Sequence, residues 1–346
     1  MAEVTYPTGD NTLLKEVFSD RKIGRLERFL GPENYRILKG LLRTPASIMG
    51  FSLIGIFLLI AVFAPLIIPA VGNDPYKIPR DGFSGEPKAP GTEWKKNAPD
   101  VPFWYTPLTG KTTWVHLLGT AQGQYDIFYG IIWGTRTAFR TGFIVVVSTF
   151  LIGIIVGSVS AYYGGLVDNI IMRIVDIFMT LPFILMALIL AAVLTPVIGR
   201  SLIPSIIALV TFGWMGYARI IRGDILSVKE RDYVLAARVV GVRNYRILFR
   251  DILPNAIFPT LVLASLAIGD VVLAFAALSF LGIGTQVGYA DWGQILSFAR
   301  NWITSLSTYS YIVVAPGVTL VLFVMGWNLV GDALRDVLDP RMRGKT

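Results

Sequence analysis

Cysteine is absent from this sequence of 346 residues, and histidine occurs once, at His116. The lack of cysteine excludes disulfide bonds, thiolate metal sites and cysteine nucleophiles. A lone histidine outside any H-E-x-x-H pattern lacks the partner ligands of a zinc enzyme, which favours a structural role for His116. No nucleophile, base and metal ligands converge, so we expect no enzyme active site, no metal site and no cofactor bound by this chain.

Charged side chains are scarce as well. They make up 16% of the residues, against 54% for hydrophobic residues, and the mean hydropathy is +0.61. An ordinary soluble domain has about 25% charged residues and correspondingly more polar surface. The composition therefore indicates an integral membrane protein.

Six apolar runs are long enough to cross the hydrocarbon core of a bilayer, which takes about 20 helical residues. The first run contains no charged residue, so a helix in a soluble core is a poor alternative there. The sequence predicts an all-α integral membrane protein with six transmembrane helices, at 46–70, 141–163, 169–195, 202–221, 257–281 and 311–330.

The distribution of lysine and arginine predicts the orientation of these spans. Residues 1–45 carry eight basic side chains and residues 219–255 carry another eight, whereas 196–201 and 282–310 carry one each. Basic residues in short flanks stay in the cytoplasm. We therefore expect the loop at 222–256 and both termini on the cytoplasmic side.

A segment between the first two spans is rich in proline, glycine, lysine and aromatic residues. Long loops cross the membrane largely regardless of their charge, so we expect this segment outside. Its clustered aromatic residues need packing partners, which favours an ordered external α/β or irregular insertion over a disordered linker. It could be a structural cap or a surface for a partner or substrate.

The expected organisation is an amphipathic cytoplasmic segment at 1–45, a first span at 46–70, an external subdomain at 71–137, a permease core at 138–330 and a cytoplasmic tail at 331–346.

Residues 231–255 form a basic amphipathic stretch between two apolar spans. Tyr233, Ala236, Ala237 and Val240 recur at helical spacing. Gly241 permits a backbone conformation that other residues resist, so the chain can turn there. A second short helix follows, and Pro254 is expected to end it. From the residues alone, this hairpin fits a membrane-surface element, a simple connector or a docking finger for a cytoplasmic protein.

Arg173, Asp176 and Asp270 interrupt the third and fifth predicted spans, where charge is costly and often functional. Arg173 and Asp176 are three residues apart on one helical face, which favours a structural intramembrane pair. Asp270 lies near the middle of the fifth predicted span and has no partner nearby in the sequence. We expect it either to line a polar translocation cavity or to pair with a residue of another subunit.

The hairpin resembles the EAA loop of ABC importer permeases. That pattern places E-A-A, three residues, G, nine residues and I-x-L-P in order, and the chain supplies Ala236, Ala237, Gly241, Leu253 and Pro254 at the same spacing. Two positions depart from it. Leu235 stands where Glu is usual, and Asp251 stands at the Ile position.

Further segments are similar to the C-type permease of the dipeptide, oligopeptide and nickel importers. The similarity covers the first span and almost everything after residue 115, in the order of the family's motifs. It rests on GWMGYARIIRGDILSVKERDYVLAAR at 213–238, AALSFLGIG at 276–284, DWGQIL at 291–296, GDALRDVLDPRMR at 331–343 and HLLGT at 116–120 with Asp126.

This resemblance implies a type I ABC importer permease in a prokaryotic cell membrane, forming half of a translocation pathway. It implies a second homologous permease, two ATP-binding subunits that hold ATP and Mg²⁺, and an external solute-binding protein. Peptides are the first expectation for the substrate, and oligosaccharides are the alternative. A six-span channel or secondary transporter is a more distant alternative, because neither needs a docking finger.

The resemblance also implies roles for particular residues. The hairpin would be the coupling helix that docks the ATPase, and the missing Glu would make its contact more apolar than usual. Phe275, which stands where relatives commonly have Glu, and Asp270 would then lie on the translocation pathway. The residues expected at the ATPase contact are Tyr233, Leu235, Ala236, Ala237, Arg238 and Gly241.

Overall fold

The protein is described here by a computed structural model. The structure describes Leu41 and residues 44–338. The predicted amphipathic segment at 1–45 therefore lies almost entirely outside the described residues, as does the part of the predicted tail after residue 338. Within the described part, the chain is helical and contains no β-strand.

Long apolar helices dominate the chain. Five helices have the length and hydropathy of membrane spans, and a bent pair of shorter helices provides up to one more. The principal helices are α1 (Pro45–Ile67), α2 (Tyr105–Thr109), α3 (Ile127–Tyr163), α4 (Gly165–Met179), α5 (Phe183–Ile198), α6 (Leu202–Lys229), α7 (Asp232–Val239), α8 (Phe258–Phe280), α9 (Trp292–Phe298) and α10 (Tyr311–Leu338). Short helical turns occupy Gln122–Gln124, Asn244–Ala256 and Ala299–Tyr309.

Residues 71–126, here called the cap, form an irregular layer over one end of the bundle. Apart from α2 and one short turn, the cap has only isolated bridges, such as those joining Lys77 to Tyr289 and Glu93 to Val115. Of the two forms expected for this insertion, α/β or irregular, its described residues show the irregular one. An indole N–H group ties this region to the end of α1, since Trp104 Nε1 donates to the Ile67 carbonyl at 3.0 Å.

Helix α3 begins at Ile127, well before the predicted start of the second span at residue 141. Asp126 caps it by accepting a hydrogen bond from Tyr129 N at 2.6 Å. Arg136 lies inside the added part, and its Nε donates to the Ala61 carbonyl of α1 at 2.6 Å. That carbonyl is free because Pro65, four residues later, has no N–H to bond it. A helix-interrupting proline in α1 thus provides the acceptor for an arginine in α3.

Small residues let α3 and α6 approach closely. Gly153 and Gly157 lie four residues apart on one face of α3. A Cβ at Gly157 would come within 2.4 Å of the Ala218 carbonyl oxygen, and one at Gly153 within 2.5 Å of Tyr217 Cβ. Such small-xxx-small faces are the usual way in which membrane helices pack backbone to backbone.

The third predicted span is not one straight helix. Helices α4 and α5 meet at an angle of 89° across Thr180–Pro182, and each alone is about 22 to 24 Å long, short of a 30 Å core. Pro182 stands directly before α5 and fixes the turn. The start of α4 follows Tyr162, whose carbonyl binds Lys229 at the end of the bundle away from the cap. Arg200, after α5, lines the same cavity as Gln122 of the cap. The pair therefore runs from one end of the bundle to the other as a broken span.

Candidate transport and docking sites

Residues 230–257, here called the hairpin, lie at the end of the bundle opposite the cap. Its first helix, α7, ends at Val239, and Gly241 takes a left-handed backbone conformation with φ +83°. The amide of Val242 then bonds back to the Ala237 carbonyl at 3.1 Å. This is a glycine-terminated helix end, in which glycine satisfies the last carbonyls without steric cost. The turn predicted at Gly241 is confirmed.

One face of the hairpin is fixed to the bundle. Val234 of α7 is fully buried, in a cluster that includes Ile225 of α6 and Ile247 of the second arm. Lys229 Nζ donates to the Tyr162 carbonyl at the end of α3 at 2.8 Å. The Tyr162 hydroxyl in turn donates to Asn244 Oδ1 at 2.8 Å. The hairpin is thus packed against α6 and hydrogen-bonded to α3.

The opposite face of the hairpin is apolar and exposed. Val239 and Val240, at the turn, are 88% and 81% exposed, and Tyr233 and Leu235 are about half exposed. Ala236 and Arg238 are exposed too, while Ala237 is partly covered by the hairpin core. The predicted contact residues are therefore brought together on one short helix and its turn. Leu235, at the position of the missing Glu, is accessible.

The second arm of the hairpin differs from the prediction at Pro254. The helical backbone runs through Pro254 instead of ending there, with a π-helix at Ile247–Ile252 followed by an α-turn at Leu253–Ala256. Proline removes one backbone donor from a helix, and a π-helical turn re-registers the hydrogen bonds around such a gap. The arm leads into α8 after a bend at Ile257.

A cavity of about 440 Å³ opens at the break between α4 and α5. Its walls come from α3, the α4–α5 break, α6 and α8, and are rich in methionine and phenylalanine. Asp270, at mid-length of α8, is exposed and is the only charged residue on the cavity wall. The cavity therefore combines an adaptable apolar surface with a single carboxylate.

Phe275 is not part of this cavity. Its side chain is only 2% exposed and packs in a core cluster with Val145, Leu209 and Leu278. Phe275 comes five positions after Asp270, which turns the two side chains about 140° apart on α8. Phe275 therefore packs in the core and does not line the cavity that contains Asp270, and its place on a translocation pathway stays a prediction.

Asp176 pairs with a different arginine from the one expected. Its Oδ1 accepts a hydrogen bond from Arg219 NH2 of α6 at 2.5 Å, and this is its ion pair within the described residues. Arg173, three residues earlier on α4, is exposed. The predicted pair of Arg173 and Asp176 is therefore corrected. Helix spacing permitted that pair, but the packing of α4 beside α6 places a guanidinium from another helix nearer.

A second ion pair between α4 and α6 was not predicted. Arg222 donates from Nε and NH2 to the two carboxylate oxygens of Asp168, both at 2.5 Å. Ser160 of α3 also donates to Asp168. This two-point contact fixes the start of the broken span to α6, since paired N–H groups of arginine match a carboxylate in geometry as well as charge. The sequence did contain a signal for this ion pair, namely an acidic residue in the first turn of α4 and basic residues on α6.

His116 has the structural surroundings expected of it. It is fully buried, with Nδ1 at 2.7 Å from Asp126 Oδ2 and Nε2 at 3.1 Å from Asp81 Oδ2. Lys88 Nζ also donates to Asp81. His116 therefore links the interior of the cap to the residue that caps α3.

Within residues 44–338, no group of three or more His, Asp or Glu side chains is arranged to hold a metal ion.

Burial raises the pKa of the Asp81 carboxyl, but hydrogen bonds from Lys88, His116 and the backbone amides of Lys96 and Lys95 outweigh burial. The net result is a pKa below the ordinary value of 3.8. Asp81 is therefore an ionised carboxylate with a full set of donors, as a buried charge requires.

Taken together, the apolar bundle with its broken span, mid-length cavity and anchored, exposed hairpin defines a membrane-embedded component of a transport system. The sequence profile of one family, described as binding-protein-dependent transport system inner membrane component, matches residues 149–344. The chain belongs to this family.

Similar proteins carry the names of peptide permeases. The chain is 34% identical over 305 residues to the dipeptide transport system permease protein DppC of Alkalihalophilus pseudofirmus, covering 88% of this chain and 89% of the relative. It is 37% identical over 228 residues to the oligopeptide transport system permease protein OppC of Bacillus subtilis, covering 66% and 72%. The resemblance to permeases of ABC peptide importers, first seen in the hairpin and in AALSFLGIG, is thereby confirmed.

A solved structure has a similar fold. A chain in a structure of the MetNI methionine ABC transporter, in inward facing conformations, superposes with a TM-score of 0.50 at 20% identity. The match covers 62% of this chain and 98% of that one. The expected fold class, a helical type I ABC permease with an irregular insertion after its first span, is confirmed.

Proposed function

We propose that this chain is the permease subunit of an ATP-driven importer for di- and oligopeptides. In this proposal it forms half of the translocation pathway and pairs with a second, homologous permease. Two ATP-hydrolysing subunits supply the driving force, and an external solute-binding protein delivers the peptide. The names of the curated relatives, which are dipeptide and oligopeptide permeases, support peptides over the oligosaccharide alternative.

The observation that carries the proposal is the anchored hairpin with an apolar tip. An exposed valine pair at the turn is unfavourable in water unless a partner covers it. The buried base, made by Val234 and the contact of Asn244 with Tyr162 of α3, lets a force on the tip reach the spans. A connector or a channel loop needs neither feature. Coupling to a separate ATPase needs both.

The proposed contact is more apolar than in relatives with Glu at the same position. Leu235 and Tyr233 are about half exposed on α7, beside the two valines of the turn. The nearby basic residues Arg231, Arg243 and Arg246 are exposed around this apolar tip. We therefore place the hairpin in the cytoplasm and the cap outside, with packing at Leu235 in the role that a carboxylate has elsewhere.

Within the membrane, we assign the cavity at the α4–α5 break to the translocation pathway. Its volume of about 440 Å³ falls within the range of small-molecule sites. Its methionine and phenylalanine walls adapt to side chains of different shape. Asp270 supplies the single fixed charge, which suits a substrate that carries an amine.

ATP-dependent uptake by the reconstituted importer tests this function. With both permeases, both ATPases and the binding protein in vesicles, we expect uptake of peptides and not of oligosaccharides, and no uptake without ATP. Replacing Val239 by aspartate should lower uptake at least about tenfold, because covering an unpaired charge in an apolar contact costs more than about 1.4 kcal/mol.

The matched control is Val239→Thr, which keeps the shape of the side chain and adds no charge. It should retain most of the uptake and of the ATPase association measured by co-purification. Peptide uptake that persists without ATP, or a Val239→Asp importer as active as the wild type, would show that the hairpin does not couple transport to an ATPase.

A further inference from the structure

A second cavity, of about 310 Å³, opens at the cap end of the bundle. It lies between the cap, the α5–α6 link and the segment around α9. Its wall includes two guanidinium groups, those of Arg200 and Arg300, and no carboxylate. Polar groups from Gln122, Thr285 and Asn301 also contribute. The cavity is thus polar and positively charged, unlike the apolar cavity at Asp270.

Neither arginine of this cavity is neutralised. Among the described residues, no acidic side chain forms an ion pair with Arg200 or Arg300. Arg300 Nε makes one long contact, of 3.3 Å, to the Ser297 carbonyl, and its guanidinium lies 5.3 Å from the centre of the Phe280 ring. Both arginines are exposed, so their guanidinium groups are open to an anion that enters the cavity.

The framework of the cavity is rigid. Gln294 is 6% exposed and its Oε1 accepts hydrogen bonds from Gly288 N at 2.7 Å and Tyr289 N at 2.9 Å. Its Nε2 donates to the Gln286 carbonyl at 2.8 Å. Across the cavity, Asn301 Nδ2 donates to Gln122 Oε1 at 2.8 Å and so ties the cap to the bundle. These hydrogen bonds fix the backbone and polar groups around the two arginines, which come from the α5–α6 link and from the segment after α9.

We propose that this cavity binds the terminal carboxylate of the cargo peptide as the peptide leaves the binding protein. The proposal rests on the proposed function, which places the cap outside and makes peptides the cargo. A concave site of about 310 Å³ suits the end of a small ligand better than a flat protein surface. Guanidinium groups are the preferred partners of carboxylates, because their N–H donors match both oxygens.

Uptake of one peptide in two forms tests the proposal. The complete importer, with its binding protein, is supplied with a peptide as the free C-terminal acid and as the C-terminal amide. In the double variant Arg200→Gln, Arg300→Gln, we expect the ratio of acid to amide uptake to fall about tenfold, which corresponds to about 1.4 kcal/mol. Because the binding protein is identical in both importers, its own preference cancels when variant and wild type are compared.

Two further variants serve as controls. Arg200→Lys with Arg300→Lys keeps both charges and should retain most of the acid preference. Lys111→Gln removes an exposed charge from the cap away from the cavity and should leave the ratio unchanged. Stable assembly of each variant is checked by co-purification of the ATPase subunits.

An unchanged ratio in the Gln variant would overturn the proposal. One such result is an equal fall in the uptake of both peptide forms, which would assign the arginines to an acidic residue of the binding protein. A wild-type importer that takes up neither form with ATP would instead contradict the proposed function itself. The two failures are therefore distinguishable.

Discussion

At the scale of single residues, Asp291 is unusual because it caps a helix while completely enclosed. Its Oδ1 accepts a hydrogen bond from Gly293 N at 3.0 Å at the start of α9. The Ser279 and Thr285 hydroxyls lie near the carboxyl and lower its pKa, but neither makes a well-formed hydrogen bond to Oδ2. Burial raises the pKa of Asp291 to about 6. The ionised carboxylate is therefore destabilising, since a buried charge needs partners for both oxygens.

This pKa predicts how stability depends on pH. The folded protein holds the Asp291 proton up to about pH 6, whereas the unfolded chain releases it near 3.8. The unfolding free energy should therefore fall by about 3 kcal/mol as the pH rises through this window. In Asp291→Asn this fall should be lost, so the variant should melt above the wild type at pH 8 in detergent.

Asp81 provides a control of opposite sign. Its pKa lies below the ordinary value, so its ionised form stabilises the fold above about pH 4 and that contribution is lost on acidification. Asp81→Asn should therefore melt below the wild type at pH 8. If Asp291→Asn also melts below the wild type at pH 8, the carboxylate of Asp291 is needed in its charged form.

Single-residue expectations succeeded where the cause is local. Gly241 was predicted to turn the chain because only its own backbone freedom is involved, and its φ of +83° agrees. Asp176 was assigned to Arg173 by spacing along one helix, yet its partner is Arg219 of another helix. Sequence spacing limits the possible partners of a charge, but the packing of separate helices selects among them.

At the scale of elements, the break between α4 and α5 shapes the cavity that contains Asp270. Hydropathy did not predict this break, because Thr180–Pro182 lies inside a continuous apolar stretch. The early start of α3 was hidden for the opposite reason. Arg136 interrupts an apolar pattern, but it is accommodated by a carbonyl that Pro65 frees in α1. Both features depend on contacts between elements, which hydropathy does not encode.

Asp270→Asn tests the role of the cavity in transport. Loss of the charge should lower peptide uptake about tenfold, as expected when a charged hydrogen bond worth about 1.5 to 3 kcal/mol is removed. Asp332→Asn, which neutralises an exposed carboxylate of α10 away from the cavity, should transport normally. The measurement is uptake over a panel of peptides, with co-purification of the second permease.

Two other results would reassign Asp270. Unchanged uptake and selectivity in Asp270→Asn would remove this residue from the pathway. Loss of the second permease on purification would place Asp270 at the contact between the two permeases instead.

At the scale of the whole molecule, the proposed orientation sets the cap and the hairpin on opposite sides of the membrane. The lack of cysteine makes this directly measurable, because each introduced cysteine is unique in the chain. Leu108→Cys on the cap and Leu235→Cys on the hairpin are suitable sites, since these leucines are 77% and 46% exposed. In intact cells, a membrane-impermeant maleimide should label only the first.

The same two variants test the docking partner. In the assembled importer, a short crosslinker from the cysteine at position 235 should capture an ATPase subunit, and one from position 108 should not. Labelling of position 235 from outside intact cells would reverse the proposed topology. A cysteine at position 235 that is accessible in the cytoplasm but captures no ATPase would end the role proposed for Leu235.

The length of α3 has a mechanical consequence. Its 37 residues make a rod of about 55 Å, and its closest approach to α6, around Gly153 and Gly157, lies near one end. Measured from that point, the arm toward the cap is about 42 Å and the arm toward the hairpin about 12 Å. If α3 tilts as a rigid body about this point, a shift of about 2 Å at the hairpin becomes roughly 7 Å at the cap, by the ratio of the two arms. The helix would act as an unequal lever that amplifies small movements at the hairpin into large movements at the cap.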